Sequence, residues 1–264
     1  MLRKIILVLI VGIAAFFFFN GKKEKSVVVE PIRTMTTPTL HPSPTQNAQS
    51  NLKTIEVPYE KQILRIYIKP IANDAAITLI PNFSTKLSSS ELVKKQTCDV
   101  AINGGFYTKE DEPLGLFTIG SKTYGAEISS RLVTGFLAYT DETLSITSVS
   151  PEESTFALQT GPLFTLPRST PLSMVDDEFS RRSLIAEGEE GTFYTISMHD
   201  RDNLFSGPKL ADVPVLLSIK KVQDEVPLTK ALNLDGGSAS FFYSKEDTIH
   251  LSELITIGSG LCIH

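Results

Sequence analysis

Short apolar runs of four to eight residues dominate the chain after residue 53 and constrain its fold more than any other feature. They are rich in β-branched and aromatic residues and are bounded by Gly, Pro, Asn or Ser, a pattern that predicts β-strands. The predicted strands are Gln62 to Lys69, Ile77 to Ile80, Val100 to Asn103, Gly135 to Tyr139, Phe156 to Gln159, Thr192 to Met198 and Ala231 to Leu234.

Helix signals are fewer. Residues 88–95 begin with serines and carry Glu91 early and two lysines late, as an N-capped helix does. Asp212 is predicted to cap a second helix that has Pro214 in its first turn and continues to Val222. The predicted fold class is therefore α+β, a mixed, sheet-rich single domain with a few helices.

The N-terminus predicts export. A charged start precedes fifteen apolar residues, Ile5 to Phe19, which is typical of a secretory signal. Residues 1–25 are therefore predicted to be a signal peptide or a signal-anchor. The bulky phenylalanines at its end favour the uncleaved anchor, and a cleaved peptide with a secreted product is the alternative. Residues 26–53, rich in Pro, Thr and Ser, are predicted to be a disordered stalk, which leaves 54–264 as the domain.

Charge is divided unevenly along the chain. Residues 54–264 hold 18 Lys and Arg against 28 Asp and Glu, a net charge of −10, whereas the first 53 residues carry +5. An acidic domain argues against nucleic acid as a partner, because polyanions bind to basic surfaces. The basic N-terminal part suits a membrane surface. We expect an extracytoplasmic domain that the N-terminal segment attaches to the cell membrane.

Two cysteines occur, Cys98 and Cys262, each in an apolar, strand-like run. Export permits a disulfide, but two residues do not make a disulfide framework. One bridge and two buried thiols both remain open from the sequence.

Two strands end abruptly in a polar residue and a glycine pair. The first delivers Asn103 to Gly104–Gly105, and the second delivers Asp235 to Gly236–Gly237. Paired glycines permit a positive φ or a close approach to a ligand, and exposed amides at such turns bind anions. A tight turn without a ligand is the alternative for either segment alone.

Two further segments add polar groups to apolar strands. Gln159 and Gly161 lie in a Gln-Thr-Gly-Pro strand end, and an arginine pair, Arg181–Arg182, leads into the apolar run that follows it. Guanidinium groups suit bidentate capture of phosphate. Alone, each segment is compatible with an ordinary turn or a solvated loop.

The order of these segments resembles the phosphodiester glycosidase family. The resemblance rests on Asn-Gly-Gly-Phe, Pro-Leu-Gly-Leu at 113–116, Gln-Thr-Gly-Pro, Arg-Ser-Leu-Ile-Ala and Asn-Leu-Asp-Gly-Gly-Ser, and it spans about residues 97 to 263. It implies Asp235 and Arg182 as catalytic residues. It also implies a set of substrate-binding residues: Asn103, Gly104, Gly105, Gln159, Gly161, Asn233, Gly236, Gly237 and Ser238.

The implied reaction is hydrolysis of a sugar 1-phosphodiester in the cell envelope or on an extracellular glycoconjugate. Arg182 would hold the phosphate, and Asp235 would activate water or stabilise an oxocarbenium-like centre. A sugar-phosphate or glycopolymer is then the expected substrate. A non-catalytic module that binds a glycan or a sugar phosphate is the alternative.

No cofactor is expected. The histidines are far apart in sequence, and no paired-cysteine metal motif occurs. A calcium ion held by oxygen ligands from Asp176, Asp177, Glu178 and Asp235 is a further alternative.

Overall fold

The computed structural model describes residues 51–264, so the predicted anchor and nearly all of the predicted stalk lie outside the described residues. Within 51–264, no helix is long and apolar enough to cross a membrane. The first strand begins at Lys53, the last residue of the predicted stalk.

Sixteen strands and three α-helices make up this part of the chain, and strands predominate, as predicted. The strands are β1 Lys53–Tyr59, β2 Gln62–Ile71, β3 Ile77–Pro81, β4 Val100–Asn103, β5 Phe117–Ile119, β6 Lys122–Gly125, β7 Gly135–Thr140, β8 Thr143–Thr147, β9 Phe156–Thr160, β10 Leu163–Thr165, β11 Arg182–Gly188, β12 Phe193–Asp200, β13 Leu228–Asn233, β14 Phe242–Ser244, β15 Ile249–Leu251 and β16 Ser259–Ile263. The helices are α1 Ser89–Gln96, α2 Val213–Leu217 and α3 Lys220–Gln223.

The strands form three antiparallel sheets. The first has the order β1-β2-β12-β11-β13-β10, the second β15-β14-β4-β16-β3 and the third β6-β5-β9-β7-β8. All seven predicted strands are present, with ends that differ by a few residues. Seven further strands, β1, β5, β6, β8, β10, β14 and β15, had no counterpart among the predicted strands. Five of them have only three or four residues, too few to show periodicity, whereas β1 and β8, with seven and five residues, were missed.

Successive side chains along the strands of the first sheet point to opposite faces, so the sheet lies between two hydrophobic cores. In β11, Leu184 and Ala186 face a core that α2 and α3 cover, whereas Ile185 faces a core shared with the other two sheets. A third, smaller cluster packs α1 against the second sheet. Because both faces of β11 are buried, the strand reads as a continuous apolar run.

Helix α1 confirms the predicted cap. The Ser88 hydroxyl accepts a hydrogen bond from the Glu91 amide, and the Glu91 side chain accepts one from the Ser88 amide, which completes a capping box.

The second predicted helix is wrong as a continuous element. A 3-10 turn at Leu210–Asp212 precedes α2, and an extended residue, Ile219, separates α2 from α3. The Ser218 hydroxyl donates to the Pro214 carbonyl at 2.6 Å, so a side chain competes with the helical backbone bond where the helix breaks. Asp212 makes no side-chain cap, because its carboxylate accepts from the Tyr59 hydroxyl.

The two cysteines form a disulfide, which decides between the alternatives that the sequence left open. Cys98 follows α1 and Cys262 lies in β16, 164 residues later in the chain. The bridge fixes α1 against the second sheet, whose strands β4 and β16 converge on the candidate site.

Removing this bridge should destabilise the domain. A Cys98→Ala/Cys262→Ala variant is expected to lose about 2–5 kcal/mol of unfolding free energy, because the unfolded chain regains the freedom of a long loop. Urea denaturation measures the loss. Reduction should lower the stability of the wild type to a similar degree and leave the double variant unchanged; equal midpoints for the oxidised wild type and the variant would contradict this account.

Candidate active site

Backbone hydrogen bonds bring the predicted segments together at one end of the strands. The Asp235 amide donates to the Gly104 carbonyl at 2.9 Å, and the Asn233 amide donates to the Pro162 carbonyl at 3.1 Å. The Gly237 amide donates to the Arg181 carbonyl at 2.8 Å. Segments that lie up to 130 or so residues apart in the sequence therefore meet around the Asp-Gly-Gly turn.

Asn103 joins these segments through its buried side chain. Its Oδ1 accepts from Ser183 Oγ at 2.7 Å and from the Phe241 amide at 3.0 Å. Its Nδ2 donates to the carbonyls of Asp235 at 2.5 Å and Gly104 at 3.2 Å. Every hydrogen-bonding position of this amide is used inside the protein. In this structure Asn103 positions the site, and its direct contact with substrate stays a prediction.

Gln159, on the third sheet, also joins separate segments through its side-chain amide. Its Oε1 accepts from the amides of Leu116 and Ile128, both at 3.0 Å, and its Nε2 donates to the Ile128 carbonyl at 2.8 Å. The side chain thus ties two loops to β9. Gly105 packs against Leu158 of the same strand, where a Cβ atom would lie 2.8 Å from a Leu158 methyl carbon and the leucine side chain would have to shift.

Asn233 is the third buried amide of the site. Its Nδ2 donates to the carbonyls of Gly161 at 2.9 Å and Leu234 at 2.7 Å. Its Oδ1 is buried and has no hydrogen-bond partner among residues 51–264. Gly161 has φ +154°, and a Cβ atom there would lie 2.4 Å from the Leu132 carbonyl oxygen, so only glycine fits beside this loop.

The glycine amides differ from the prediction. The Gly104 amide donates to the Ser259 carbonyl, the Gly236 amide to Asp235 Oδ1 and the Gly237 amide to the Arg181 carbonyl. Since the protein's own acceptors occupy these three donors, they do not form the anion cradle predicted from the glycine pairs. Gly104 packs closely for another reason, because a Cβ atom there would lie 2.2 Å from Ser259 Oγ and the Ser259 side chain would have to shift.

The Asp235 carboxyl is the group in this region with the most altered acidity. Burial raises its pKa to about 7, and the hydrogen bond from the Gly236 amide opposes that shift only in part. Neither Arg181 nor Arg182 contributes to this pKa, so no cation offsets the loss of solvent. The carboxyl therefore exchanges a proton near neutral pH, as a general acid or base must.

The Arg182 side chain lies beside Gly236. Its Nε donates to the Pro208 carbonyl at 3.0 Å, and its Nη2 donates to the Glu178 carbonyl at 2.6 Å and to Asp177 at 3.3 Å. Its Nη1 makes no hydrogen bond within residues 51–264 and lies 3.7 Å from the position of a Cβ atom on Gly236. Burial lowers the pKa of Arg182. One terminal nitrogen thus remains for a ligand, although the structure does not pair it with Asp235.

Arg181 is the more deeply buried member of the pair. Its Nε donates to Ser240 Oγ at 2.6 Å, and its Nη2 donates to the carbonyls of Ser240 and Ser252. Burial lowers its pKa to about 10, so it stays cationic at neutral pH. Its hydrogen bonds to Ser240 hold the turn that follows Asp235. Arg181 and Ser183 are two residues apart and so share one face of the strand, which was the signal in the sequence that Arg181 points inward.

Tyr107 is a site residue that the sequence analysis did not single out. Burial raises its pKa, and the negative charge of Asp235 raises it further, so its phenol lies within electrostatic reach of that carboxyl. Its hydroxyl donates to the Thr256 carbonyl. Tyr107 lies only four residues after Asn103, and this closeness in sequence is the signal that could have placed it near the site.

The acidic run does not form the calcium site considered above. Asp177 accepts from the amides of Leu210 at 2.9 Å and Ala211 at 2.7 Å, and it also pairs with Arg182. Across residues 51–264, no group of three or more His, Cys, Asp and Glu side chains is arranged to hold a metal ion.

A sequence profile described as phosphodiester glycosidase matches residues 96–263, about two thirds of the chain. The chain belongs to the phosphodiester glycosidase family. The expected resemblance is therefore confirmed, and the matched residues contain every residue assigned to the site from the sequence. No curated protein sequence matches the chain significantly.

Solved structures share the fold at low sequence identity. The catalytic domain of zebrafish N-acetylglucosamine-1-phosphodiester alpha-N-acetylglucosaminidase, auto-inhibited by its pro-peptide, has a TM-score of 0.55 and 16% identity over 82% of this chain and 83% of its own. A hypothetical protein from Synechocystis has 0.57 and 12% over 80% of this chain, which spans 61% of that protein. A putative exported protein from Burkholderia pseudomallei has 0.52 and 11% over 76% and 74%.

The raised pKa of Asp235 predicts a pH-dependent stability. In the unfolded chain this carboxyl has a pKa near 4, so between about pH 4 and pH 7 the folded state holds a proton that the unfolded state has lost. Stability attributable to this group therefore falls as the pH rises through that window. Asp235→Asn removes the penalty and should be more stable than the wild type above pH 7, by at most about 4 kcal/mol.

Chemical denaturation at pH 4.5 and pH 8 measures this difference. Asp141→Asn, at an exposed turn, is the matched control and should show the same offset from the wild type at both values. An Asp235→Asn offset that does not change with pH would show that the carboxyl has an ordinary pKa.

Proposed function

We propose that this protein is an extracytoplasmic hydrolase that cleaves a sugar 1-phosphodiester on a cell-envelope or extracellular glycoconjugate. The observation that carries the proposal is the desolvated Asp235 carboxyl, whose pKa of about 7 suits proton transfer at neutral pH, in a chain of the phosphodiester glycosidase family. The name of the zebrafish relative supports a sugar linked through its anomeric oxygen to a phosphodiester as the substrate class.

Asp235 acts as the general base in this proposal. A water oxygen bonds to the anomeric carbon while the carboxylate accepts a proton from that water. The bond between the anomeric carbon and the phosphate-bearing oxygen breaks, and the phosphate monoester leaves with the electron pair. Because that leaving group is already a weak base, it needs electrostatic stabilisation more than a strong acid.

Arg182 is proposed to supply that stabilisation through Nη1, the terminal nitrogen that no protein acceptor occupies. Asp177 and the Glu178 and Pro208 carbonyls hold the rest of the guanidinium, so its position is fixed before a ligand binds. Asn103, Gln159 and Asn233 keep the strand ends in register around the turn. Ser238, exposed at the end of the turn, is proposed to contact the substrate.

The location is part of the proposal. The Cys98–Cys262 bridge supports an oxidising compartment, because disulfides persist mainly outside the cytosol. Attachment to the membrane through residues 1–25 is proposed from their apolar, positively flanked sequence.

Hydrolysis of a panel of chromogenic sugar 1-phosphodiesters, N-acetylglucosamine among them, tests the function. We expect the wild-type kcat/KM to rise with pH to a plateau above about pH 7, as the Asp235 base deprotonates. Asp235→Asn should lower kcat/KM at least about 100-fold, a loss of about 2.7 kcal/mol of transition-state stabilisation. Asp141→Asn should leave it unchanged.

No turnover on any sugar by the folded protein would reject the hydrolase. If the sugar phosphodiesters still bound, the non-catalytic binding module would replace it. Turnover that survives Asp235→Asn would reject the assigned base.

Arg182→Ala should also lower kcat/KM by about 100-fold, because a charge-assisted bond to the phosphate is lost. Arg182→Lys should recover part of the rate by keeping the charge. Arg201→Ala, which removes a partly exposed arginine paired with Asp202 and Glu56, is the control. Thermal denaturation checks that each variant folds, and a folded Arg182→Ala with wild-type kinetics would show that Arg182 only anchors the 177–178 loop.

A further inference from the structure

Tyr107 has a half-buried aromatic ring near the candidate base, and the proposed mechanism assigns it no role. It lies three residues after Gly104, whose carbonyl accepts from the Asp235 amide at 2.9 Å. The charge of Asp235 also raises the pKa of Tyr107. Backbone pairing and electrostatics therefore place the aromatic ring and the carboxyl in the same part of the site.

Residues 256–258 hold this ring at both ends. Its hydroxyl donates to the Thr256 carbonyl, and a Cβ atom on Gly258 would lie 2.7 Å from Tyr107 Cγ and from Cδ1. The backbone of Gly258 thus lies against the base of the ring. Because both ends are held, the accessible part of the ring meets a ligand in a fixed orientation, which lowers the entropy lost on binding.

Tyr107 and Arg182 have different neighbours around the Asp-Gly-Gly turn. Arg182 lies beside Gly236, whereas Tyr107 is held by residues 256–258. The charge of Asp235 contributes to the raised pKa of Tyr107, and the charge of Arg182 does not. The tyrosine is therefore associated with the candidate base rather than with the guanidinium that is proposed to hold the phosphate.

The proposed reaction determines which part of the substrate lies near Tyr107. The anomeric carbon has to lie next to the Asp235 carboxyl, so the sugar ring that contains this carbon lies there too, whereas the alcohol of the diester lies beyond the phosphate. Carbon-bound hydrogens of a sugar ring carry a small positive charge, and an aromatic ring has a negative face that attracts them.

These observations select the sugar as the partner of the aromatic ring. On the basis of the proposed function, we propose that the Tyr107 ring packs against the sugar ring of the substrate and makes the protein selective for a sugar 1-phosphate over phosphate alone. Tyr107 is then a specificity-determining residue, and Arg182 contacts the phosphate that both ligands share.

Calorimetric binding of sugar 1-phosphates and of inorganic phosphate to the full-length protein tests this inference. The sugars are N-acetylglucosamine, glucose, galactose and mannose. The wild type should bind at least one of these 1-phosphates more tightly than inorganic phosphate, because the sugar adds its contact with Tyr107. Tyr107→Ala should weaken binding of that sugar 1-phosphate about tenfold and leave the affinity for inorganic phosphate unchanged.

Three further variants separate the ring from its hydroxyl and from the fold. Tyr107→Phe keeps the ring and should bind the sugar 1-phosphate within about twofold of the wild type. Gly258→Ala keeps the tyrosine but displaces its ring, so it should also weaken the sugar 1-phosphate selectively, and it decides the test if Tyr107→Ala does not fold. Tyr194→Ala, which removes a half-buried tyrosine that lies against Gly188, is the matched control and should bind both ligands as the wild type does.

The outcomes separate this inference from the proposed function, which hydrolysis of the diesters decides. A wild type that binds no sugar 1-phosphate more tightly than inorganic phosphate would overturn the inference, and so would a folded Tyr107→Ala with wild-type affinities. Equal weakening of both ligands, or a Tyr107→Phe variant as weak as Tyr107→Ala, would show that the tyrosine only holds residues 256–258, which also overturns it. Selective loss of the sugar 1-phosphate in a protein that hydrolyses no diester would support the inference although the hydrolase is rejected.

Discussion

The buried amide of Asn103 is the contact on which the candidate site depends. One side chain accepts from Ser183 in the first sheet and from the amide of Phe241, and it donates to the carbonyl of Asp235. These partners lie far apart in the sequence, so the amide fixes the relative positions of two sheets and the turn. Since an unpaired buried polar group costs about 1–3 kcal/mol, this arrangement is stable only when every partner is present.

The same arrangement gives Asp235 its chemistry. The backbone of this residue is held on both sides, by Gly104 and by Asn103, while its carboxyl receives a single hydrogen bond, from the adjacent amide. A rigid backbone with a poorly solvated carboxyl raises the pKa toward neutrality, at a cost in stability that functional sites commonly carry. Tyr107 lies close enough for the charge of Asp235 to raise its pKa, and Arg182 lies beside Gly236 in the same turn.

Local pattern was sufficient for most of the longer strands and for α1, because alternation and the Ser88–Glu91 cap are encoded within a few residues, although the seven-residue β1 was missed. Local pattern did not predict the break at Ile219, because that break depends on the Ser218 hydroxyl, which donates to the Pro214 carbonyl. In the site, the order of the motifs pointed to the two glycine turns that the hydrogen bond from the Asp235 amide to the Gly104 carbonyl brings together, while the roles assigned to their residues stay predictions. Other features of the site depend on how distant strands pack, which the sequence does not show. These are the partners of Asn103, the separate directions of Arg181 and Arg182, and the closeness of Tyr107 to Asp235.

The acidity of Asp235 is the central claim, and a carboxyl-carbon NMR titration measures it most directly. The signal of Asp235, assigned by its loss in Asp235→Asn, should titrate with a pKa of about 7. A value near 4 would mean that the carboxyl is well solvated or paired with a cation, and it would contradict both the assigned base and the described environment of the turn.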